Sequence, residues 1–177
     1  MIPEASLEQT EHGRVAAGEG WFVLNARDAR WRHREGRATL PFEGEAEFPQ
    51  LGINLLVLAP GEPMAMYHWE ADQEDFLVVA GEAVLIVEGE ERPLKAWDFV
   101  HCPPETDHIF VGAGDGPCVI FMIGARRERR ILYPRSEVAL RHGAGVEADT
   151  TSAAEAYAPY PKWQPGPPAS WDGLPWG

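Results

Sequence analysis

Short apolar segments separated by glycine and proline dominate the middle of the chain. Their length, their alternation of apolar and polar positions and their β-branched residues predict strands. These segments are Gly52–Ala59, Pro63–Trp69, Phe76–Ala80, Ala83–Val87, Leu94–Cys102, His108–Val111 and Cys118–Gly124. Turn residues separate them, and no helical period of useful length runs through residues 52–124. Many short strands at this spacing predict an all-β sandwich or barrel.

The two ends of the chain differ from this middle. Residues 1–19 are polar and acidic without periodicity, which predicts a loose N-terminal arm. A barrel domain is expected over residues 20–135, with its core at 52–124 and a first strand in the apolar run Trp21–Asn25. Residues 136–177 are predicted to contain short helices and an extended tail.

Two helix signals and an unusual tail follow the barrel. Ser136–His142 predicts one or two helical turns, and Ser152–Glu155 matches a capping box that opens a short helix through Tyr157. Residues 158–177 are rich in proline and tryptophan, a composition that excludes a regular helix or a central strand. Because tryptophan is costly to leave in water, the tail is either disordered or extended across the domain or a partner subunit. The tryptophans concerned are Trp163, Trp171 and Trp176.

Composition and charge narrow the class of protein. The 177 residues are 45% hydrophobic and 24% charged, as in an ordinary globular domain. With 15 Lys and Arg against 28 Asp and Glu, the net charge of −13 argues against nucleic acid or an anionic membrane as partner. The longest apolar run is too short to cross a bilayer, and two cysteines, Cys102 and Cys118, make no disulfide framework. The N-terminal residues do not resemble a signal peptide, so a cytoplasmic protein is expected.

Acidic residues are concentrated in one part of the chain. Residues 38–91 contain twelve acids and neither lysine nor arginine. Most of these acids fit a solvated face, but Glu70, Asp72 and Glu74 lie close to His68. A carboxylate cluster without a basic neighbour is costly unless it is solvated or binds a cation.

A candidate metal site arises from the same stretch. If residues 63–69 form a strand, its alternation places Met64, Met66, His68 and Glu70 on one face, and Glu74 begins the next strand. His108 follows a proline turn at the start of another strand and is the natural further ligand. Imidazole with carboxylate suits a divalent ion such as Zn, Fe, Mn or Ni.

Two segments resemble the conserved motifs of the cupin superfamily. The first matches at a histidine, a glutamate and a glycine, and the second matches at a proline and a histidine. The matching residues are His68, Glu74, Gly81, Pro103 and His108. The resemblance covers roughly residues 50–125 and implies a single-domain cupin, that is, a double-stranded β-helix or jelly-roll barrel. It also implies that the matched histidines and glutamate bind a metal.

The chain departs from the cupin pattern at three positions and in one spacing, since six residues rather than five separate Gly61 from His68. Trp97 and Glu105 replace two glycines of the second motif, and Glu70 replaces the usual second histidine of the first. Glu70 is therefore either a fourth ligand beside His68, Glu74 and His108, or a neighbour of the ligands, or part of a site that binds no metal.

The remaining candidate functional residues are those expected to line a pocket and two clusters of arginines. Barrel residues expected to line a pocket for a small organic ligand are Met64, Met66, Phe76 and Phe110. Arginines gather at 27–37 and at 126–130, where ion pairing at the surface or between subunits is preferred over an anion site for a substrate carboxylate or phosphate.

Three classes of function remain open at this point. The resemblance implies a metal-binding protein, and a metal-dependent oxygenase, isomerase or decarboxylase acting on a small molecule is one reading. A non-catalytic small-molecule or metal-binding module and an assembly scaffold are the others. No general acid or base is identifiable beyond the ligands, and fold alone does not select a reaction. A homodimer is expected, since single-domain cupins commonly pair.

Overall fold

The computed structural model describes residues 1–168 and 172–176. Within these residues the chain is built almost entirely of strands, with two short helices near its C-terminal end. The strands are β1 (Ser6–Thr10), β2 (Gly13–Ala17), β3 (Arg32–Arg34), β4 (Arg37–Pro41), β5 (Leu51–Leu58), β6 (Trp69–Glu70), β7 (Glu74–Ala80), β8 (Glu82–Val87), β9 (Glu90–Lys95), β10 (Phe99–Cys102), β11 (His108–Ala113), β12 (Cys118–Ala125), β13 (Ile131–Leu132) and β14 (Gln164–Pro165). The helices are α1 (Glu137–Arg141) and α2 (Ala153–Ala156).

Two antiparallel sheets form the walls of the barrel. The larger sheet has the order β10-β7-β12-β5-β4-β3-β14, and the smaller has the order β11-β8-β9. The main hydrophobic core lies between them and includes Leu58 and Phe76 from the larger sheet and Ile86 and Phe110 from the smaller. A second core on the outer face of the larger sheet is covered by Trp31 and by residues of the tail. The predicted all-β barrel is confirmed.

Alternation along β7 explains how a carboxylate enters the barrel. Glu74, Phe76 and Val78 are buried, whereas the residues between them are partly exposed. Because successive side chains point to opposite faces of a strand, the pattern that buries Phe76 and Val78 also directs Glu74 inward. The register places Glu74 opposite Gly124 of β12 and Cys102 of β10.

The predicted strand Pro63–Trp69 is wrong for most of its length. Its backbone N–H groups bond to different elements, with Met64 N donating to Phe110 O and Tyr67 N to Ala144 O. Met64 lies in the main core and Met66 in a small cluster with Tyr133, so the two do not share one face. Only its last residue belongs to a strand, β6, which pairs with β13.

The predicted strand Trp21–Asn25 is also wrong. Trp21 forms an isolated bridge with Glu4, and Asn25 begins a turn in which its carbonyl accepts a hydrogen bond from Asp28 N. A turn former at the end of so short a run ends the extended backbone before it can pair. The N-terminal arm contains the β1–β2 hairpin and is therefore not loose throughout.

Both predicted helices are confirmed, each with its serine cap. Ser136 Oγ accepts from Ala139 N at the start of α1, and Ser152 Oγ accepts from Glu155 N at the start of α2. The helices are short, and within the described residues neither has the length or hydropathy needed to span a bilayer.

The tail was predicted to be either disordered or extended across the domain or a partner subunit. Its described part extends across the domain. Strand β14 pairs with β3, and the Trp163 ring receives the Arg34 guanidinium at 4.4 Å from its centroid. The ring of Trp176 lies 5.8 Å from that of Trp31. Burial of these rings offsets the cost of ordering a proline-rich segment. Trp171 lies outside the described residues.

Candidate metal centre

Two strands and the bridged residue just before β6 bring two histidines and a glutamate together at one end of the barrel. His68 and His108 face each other across an isolated antiparallel bridge, in which each backbone N–H donates to the carbonyl of the other. Glu74 enters from the first position of β7. Their side chains are almost fully buried, with residue exposures of 5% for His68, 1% for His108 and 8% for Glu74.

The donor atoms of these residues converge on one point. His108 Nε2 lies 3.4 Å from Glu74 Oε2, and His68 Nε2 lies 4.0 Å from the same oxygen. One donor atom from each residue lies within 4.8 Å of the other two. A tetrahedral ion with bonds of about 2.1 Å separates its ligands by about 3.4 Å, so the observed spacing fits a single cation after small side-chain movements.

Backbone carbonyls determine the tautomers of both histidines. His68 Nδ1 lies 2.6 Å from Met66 O, and His108 Nδ1 lies 2.9 Å from Thr106 O. A carbonyl only accepts hydrogen bonds, so each neutral ring carries its proton on Nδ1 and directs the lone pair of Nε2 toward Glu74. Metal-binding histidines are held in the same way by a partner on their other nitrogen.

Two buried atoms of the cluster lack hydrogen-bond partners among the described residues, namely Glu74 Oε2 and His108 Nε2. An unsatisfied buried polar group costs roughly 1–3 kcal/mol, and more when it is charged. A cation between the two atoms would satisfy both, so the residues present fit a divalent metal.

Burial favours the neutral form of both histidines, which is the form that binds a metal. Desolvation, followed by the nearby His108, lowers the pKa of His68 to about 3, and desolvation lowers the pKa of His108. Both rings are therefore neutral at pH 7. Desolvation and then the neighbouring Glu70 raise the pKa of Glu74, because burial and a second negative charge both disfavour its ionised form.

Glu70 lies at the edge of this cluster. Its Oε1 is 3.8 Å from His68 Nε2, and its side chain is more exposed than those of the other three residues. Burial and then the neighbouring Asp72 raise its pKa. Its assignment as a fourth ligand stays a prediction. Asp72 itself has another role, since its Oδ2 accepts from the backbone N–H groups of residues 127–129.

The four residues predicted to line a pocket are all buried, and their role in ligand binding stays a prediction. The Phe76 ring lies 5.2 Å from the His108 ring and 4.6 Å from the Phe110 ring, so both phenylalanines pack behind the ligands. Met64 packs in the main core, and Met66 packs beside Tyr133.

A cavity of about 330 Å³ opens beside the donors and contains Glu70 and Glu74 in its wall. Its other wall residues include Asn54, Met122, Arg126, Arg129 and Ile131. None of them was predicted to line the pocket, although the two arginines belong to the cluster at 126–130. Asn54 and Met122 are paired across β5 and β12, a register that strand alternation alone does not specify. A larger cavity of about 410 Å³ lies at the β3–β4 hairpin and includes none of the three donors.

Comparison with known proteins agrees with the fold. A family model described as a cupin domain matches residues 54–124. The protein KdgF from Halomonas sp. is 24% identical, with a TM-score of 0.51 over 62% of this chain and 97% of that one. No curated protein matches the chain significantly.

Two further solved structures are similar over about half of the chain. A sugar phosphate isomerase of the cupin superfamily from Silicibacter pomeroyi DSS-3 is 28% identical, with a TM-score of 0.49, over 55% of this chain and 64% of that one. A cupin superfamily protein from Desulfitobacterium hafniense DCB-2 is 19% identical, with a TM-score of 0.46, over 54% and 82%. The match thus spans less than two thirds of the Silicibacter protein. With both motifs, the matched family model and the barrel in agreement, residues 54–124 of this chain form a cupin domain.

Proposed function

We propose that this protein is a divalent-metal-dependent enzyme that acts on a small polar organic molecule in the cavity beside His68, Glu74 and His108. The observation that carries the proposal is the convergence of three buried donor atoms, two of which have no hydrogen-bond partner among the residues that the structure describes. The donors adjoin a cavity of about 330 Å³, which lies at the small end of the range for ligand sites.

His68, His108 and Glu74 would hold the ion. Two imidazoles and one carboxylate are a donor set used by zinc hydrolases and by non-haem iron enzymes, and three protein ligands leave positions open for a substrate. When bound, the metal supplies Lewis-acid chemistry that polarises a coordinated oxygen. The neutral rings of the histidines present their Nε2 lone pairs without needing to lose a proton first.

Glu70 supports catalysis over passive metal storage. It lies in the cavity wall, 3.8 Å from His68 Nε2, and burial raises its pKa. A carboxyl group with a raised pKa beside a metal and a cavity is suited to accept or donate a proton. Glu70 therefore serves either as a fourth ligand or as the proton-transfer group, and the two roles are separable by experiment.

Metal content and coordination test the proposal together. Protein loaded with Co²⁺ should bind one ion per chain with an absorption spectrum of an open site, and acetohydroxamate should change that spectrum. His108→Ala should lose the ion, whereas His101→Ala should keep it, because His101 is exposed and pairs with Asp75 outside the cluster. A spectrum that is insensitive to acetohydroxamate would mean a closed structural site and would overturn the enzyme assignment. Retention of the ion by His108→Ala would overturn the ligand set.

Glu70→Gln distinguishes the two roles of that residue. A ligand role predicts weaker metal binding and an altered Co²⁺ spectrum, whereas a proton-transfer role predicts unchanged metal content and spectrum. Asp72→Asn is a matched control, since it also removes one acid of the cluster. Unlike Glu70, Asp72 accepts hydrogen bonds from the backbone of residues 127–129.

A further inference from the structure

Two arginines line the metal-site cavity together with Glu70 and Glu74. Arg126 and Arg129 share the cavity with these acids, and Asn54 and Met122 form part of the wall. The cavity therefore contains a metal-binding carboxylate and a pair of guanidinium groups. Such an arrangement suits a ligand with a metal-binding oxygen at one end and an anionic group at the other.

Paired glycines keep the space between these groups open. Gly52 of β5 and Gly124 of β12 lie directly opposite each other in the sheet. A Cβ at Gly52 would come within 3.0 Å of Arg126 Nη2, and a Cβ at Gly124 would come within 3.6 Å of Glu74 Cγ. Any larger side chain at either position would fill the space that the guanidinium and the carboxylate now border.

Arg126 is fixed in place before any ligand binds. Its Nη2 lies 2.5 Å from Glu43 Oε1, and its Nη1 donates to Phe48 O at 3.0 Å. The side chain is only 21% exposed. A guanidinium held in this way loses little conformational freedom on binding, which favours it as an anchor for an anionic oxygen.

Arg129 is positioned by its backbone. Its φ of 54° lies in the left-handed region, which side chains other than glycine adopt at some cost. Asp72 Oδ2 accepts hydrogen bonds from the N–H groups of Arg127, Glu128 and Arg129 and so holds this turn. Asp72, which does not join the metal donors, thus orients Arg129 in the cavity wall.

Glu47 occupies the position at which an anionic ligand group would bind. Its Oε2 lies 2.9 Å from Arg129 Nη2 and 3.9 Å from Arg126 Nη1, and its side chain is 65% exposed. An exposed ion pair contributes little stability, so a ligand can displace this carboxylate at low cost. Glu43, by contrast, is largely buried and stays with Arg126.

We infer that Arg126 and Arg129 bind a carboxylate or phosphate group of the substrate, in exchange for Glu47, while a carboxylate oxygen at the other end of the same molecule reaches the metal. This inference rests on the proposed function, because it names the substrate class of the same cavity. The alternative is that the ion pairs only fasten the segment around residues 43–48 to the turn after β12.

Three small probes separate these possibilities. Succinate carries two carboxylates, succinamate replaces one of them by an amide, and 3-phosphonopropionate replaces one by a phosphonate. Binding to metal-loaded protein should be at least ~10-fold tighter for succinate or 3-phosphonopropionate than for succinamate, as a charge-assisted contact implies. The tighter of the two dianions identifies a carboxylate or a phosphate as the natural group.

The variants then test which residues are responsible. Arg126→Met and Arg129→Met should reduce the preference to less than ~3-fold, and Glu47→Gln should strengthen dianion binding by ~3-fold or more, because the competing carboxylate is neutralised. Arg127→Met is the matched control, since this neighbouring arginine is exposed and does not line the cavity, and it should keep the full preference. Arg129 is itself exposed, so its variant tests the site even if Arg126→Met folds poorly.

Equal binding of succinate and succinamate would overturn the inference. Equal effects of Arg127→Met and Arg129→Met would also overturn it, and so would weaker dianion binding by Glu47→Gln. Metal content, measured on every sample, keeps this result separate from the proposed function. If the protein loads no metal yet binds 3-phosphonopropionate in a manner lost in Arg129→Met, the anion site stands and the enzyme proposal fails. If it loads metal without any dianion preference, the enzyme proposal stands and the anion site fails.

Discussion

Replacing Glu74 by Gln should stabilise the metal-free protein while abolishing its metal binding. Glu74 Oε2 and His108 Nε2 are buried 3.4 Å apart, and neither has a hydrogen-bond partner among the described residues. A Gln amide is uncharged and can donate to the Nε2 lone pair at any pH, whereas the Glu74 carboxyl can do so only when it is protonated, below its raised pKa of about 8. Repairing an unsatisfied buried group should contribute about 2 kcal/mol, or about 4–8 °C in Tm for a protein of this length.

Metal should stabilise the wild type but not Glu74→Gln. An ion that binds only the folded state stabilises it by about 2.7 kcal/mol at a concentration 100 times its Kd. Wild type should gain this stability when loaded, whereas Glu74→Gln should gain almost none. The residue that favours metal binding is therefore the one that weakens the metal-free fold.

The pH dependence of the chelated wild type follows from the directions of the pKa shifts. Glu74 has its pKa raised from 4.5, so the unfolded chain releases this proton before the folded one does, and stability falls as the pH rises above about 4.5. The pKa of His68 is lowered from 6.5 to about 3, so the unfolded chain takes up a proton first and stability falls as the pH drops below about 6.5. Chelated wild type should be most stable between these two values, and Glu74→Gln should lose the decline on the alkaline side.

Thermal melts with chelator or with metal, at pH 5 and pH 8, measure all of these effects. Protons compete with the metal for every ligand, so the gap between loaded and chelated wild type should shrink at pH 5. Glu90→Gln is the control, because Glu90 is an exposed carboxylate that pairs with Arg92 away from the site. A chelated Glu74→Gln protein that melts at or below the chelated wild type at pH 8 would refute the reasoning that the buried carboxylate is unsatisfied.

Three further predictions concern the rest of the molecule. Trp97 has a φ of 77° and is 74% exposed, so Trp97→Gly should be more stable than Trp97→Ala by about 1 kcal/mol in chemical denaturation, and equal stabilities would contradict the strain. Asp72→Ala should lower Tm at pH 7 and less so near pH 3, because the backbone N–H donors lower the pKa of Asp72 below its ordinary 3.8 and that stabilisation is lost as the pH falls through the lowered value. We propose a homodimer that covers the exposed Trp97 and Phe99 near the edge strand β10. Sedimentation should show a dimer for wild type and a monomer for Phe99→Glu, and a monomeric wild type at micromolar concentration would contradict it.

Much of the barrel was predictable because local signals agree there. Strands β5, β7, β8, β11 and β12 lie within a residue or two of the predicted segments, since Gly and Pro end each one and alternation selects the buried face. His68, Glu74 and His108 were identified through motif spacing, and they are the three residues that the structure brings together.

The rest depended on contacts between distant parts of the chain. Alternation predicted that Met64, Met66, His68 and Glu70 share a face, but residues 63–68 bond in turn to β11 and to the segment after α1. Apolar alternation cannot distinguish a strand from an irregular segment whose N–H groups find separate partners. The arginines of the cavity were visible as a cluster, yet their position opposite Glu74 required the register of β12.

The departures from the cupin motif leave the metal donors in place because backbone contacts assemble them. Trp97 and Glu105 replace motif glycines and still adopt positive φ values of 77° and 66°, so the turns are kept at some cost in strain. At the second turn, Glu105 N donates to Glu70 O at 2.7 Å, which ties the segment that delivers His108 to the strand that follows His68. The mutual backbone bonds of His68 and His108 add a second tie. Since neither tie uses the side chain of Glu70, replacing that side chain should leave the three donors in place.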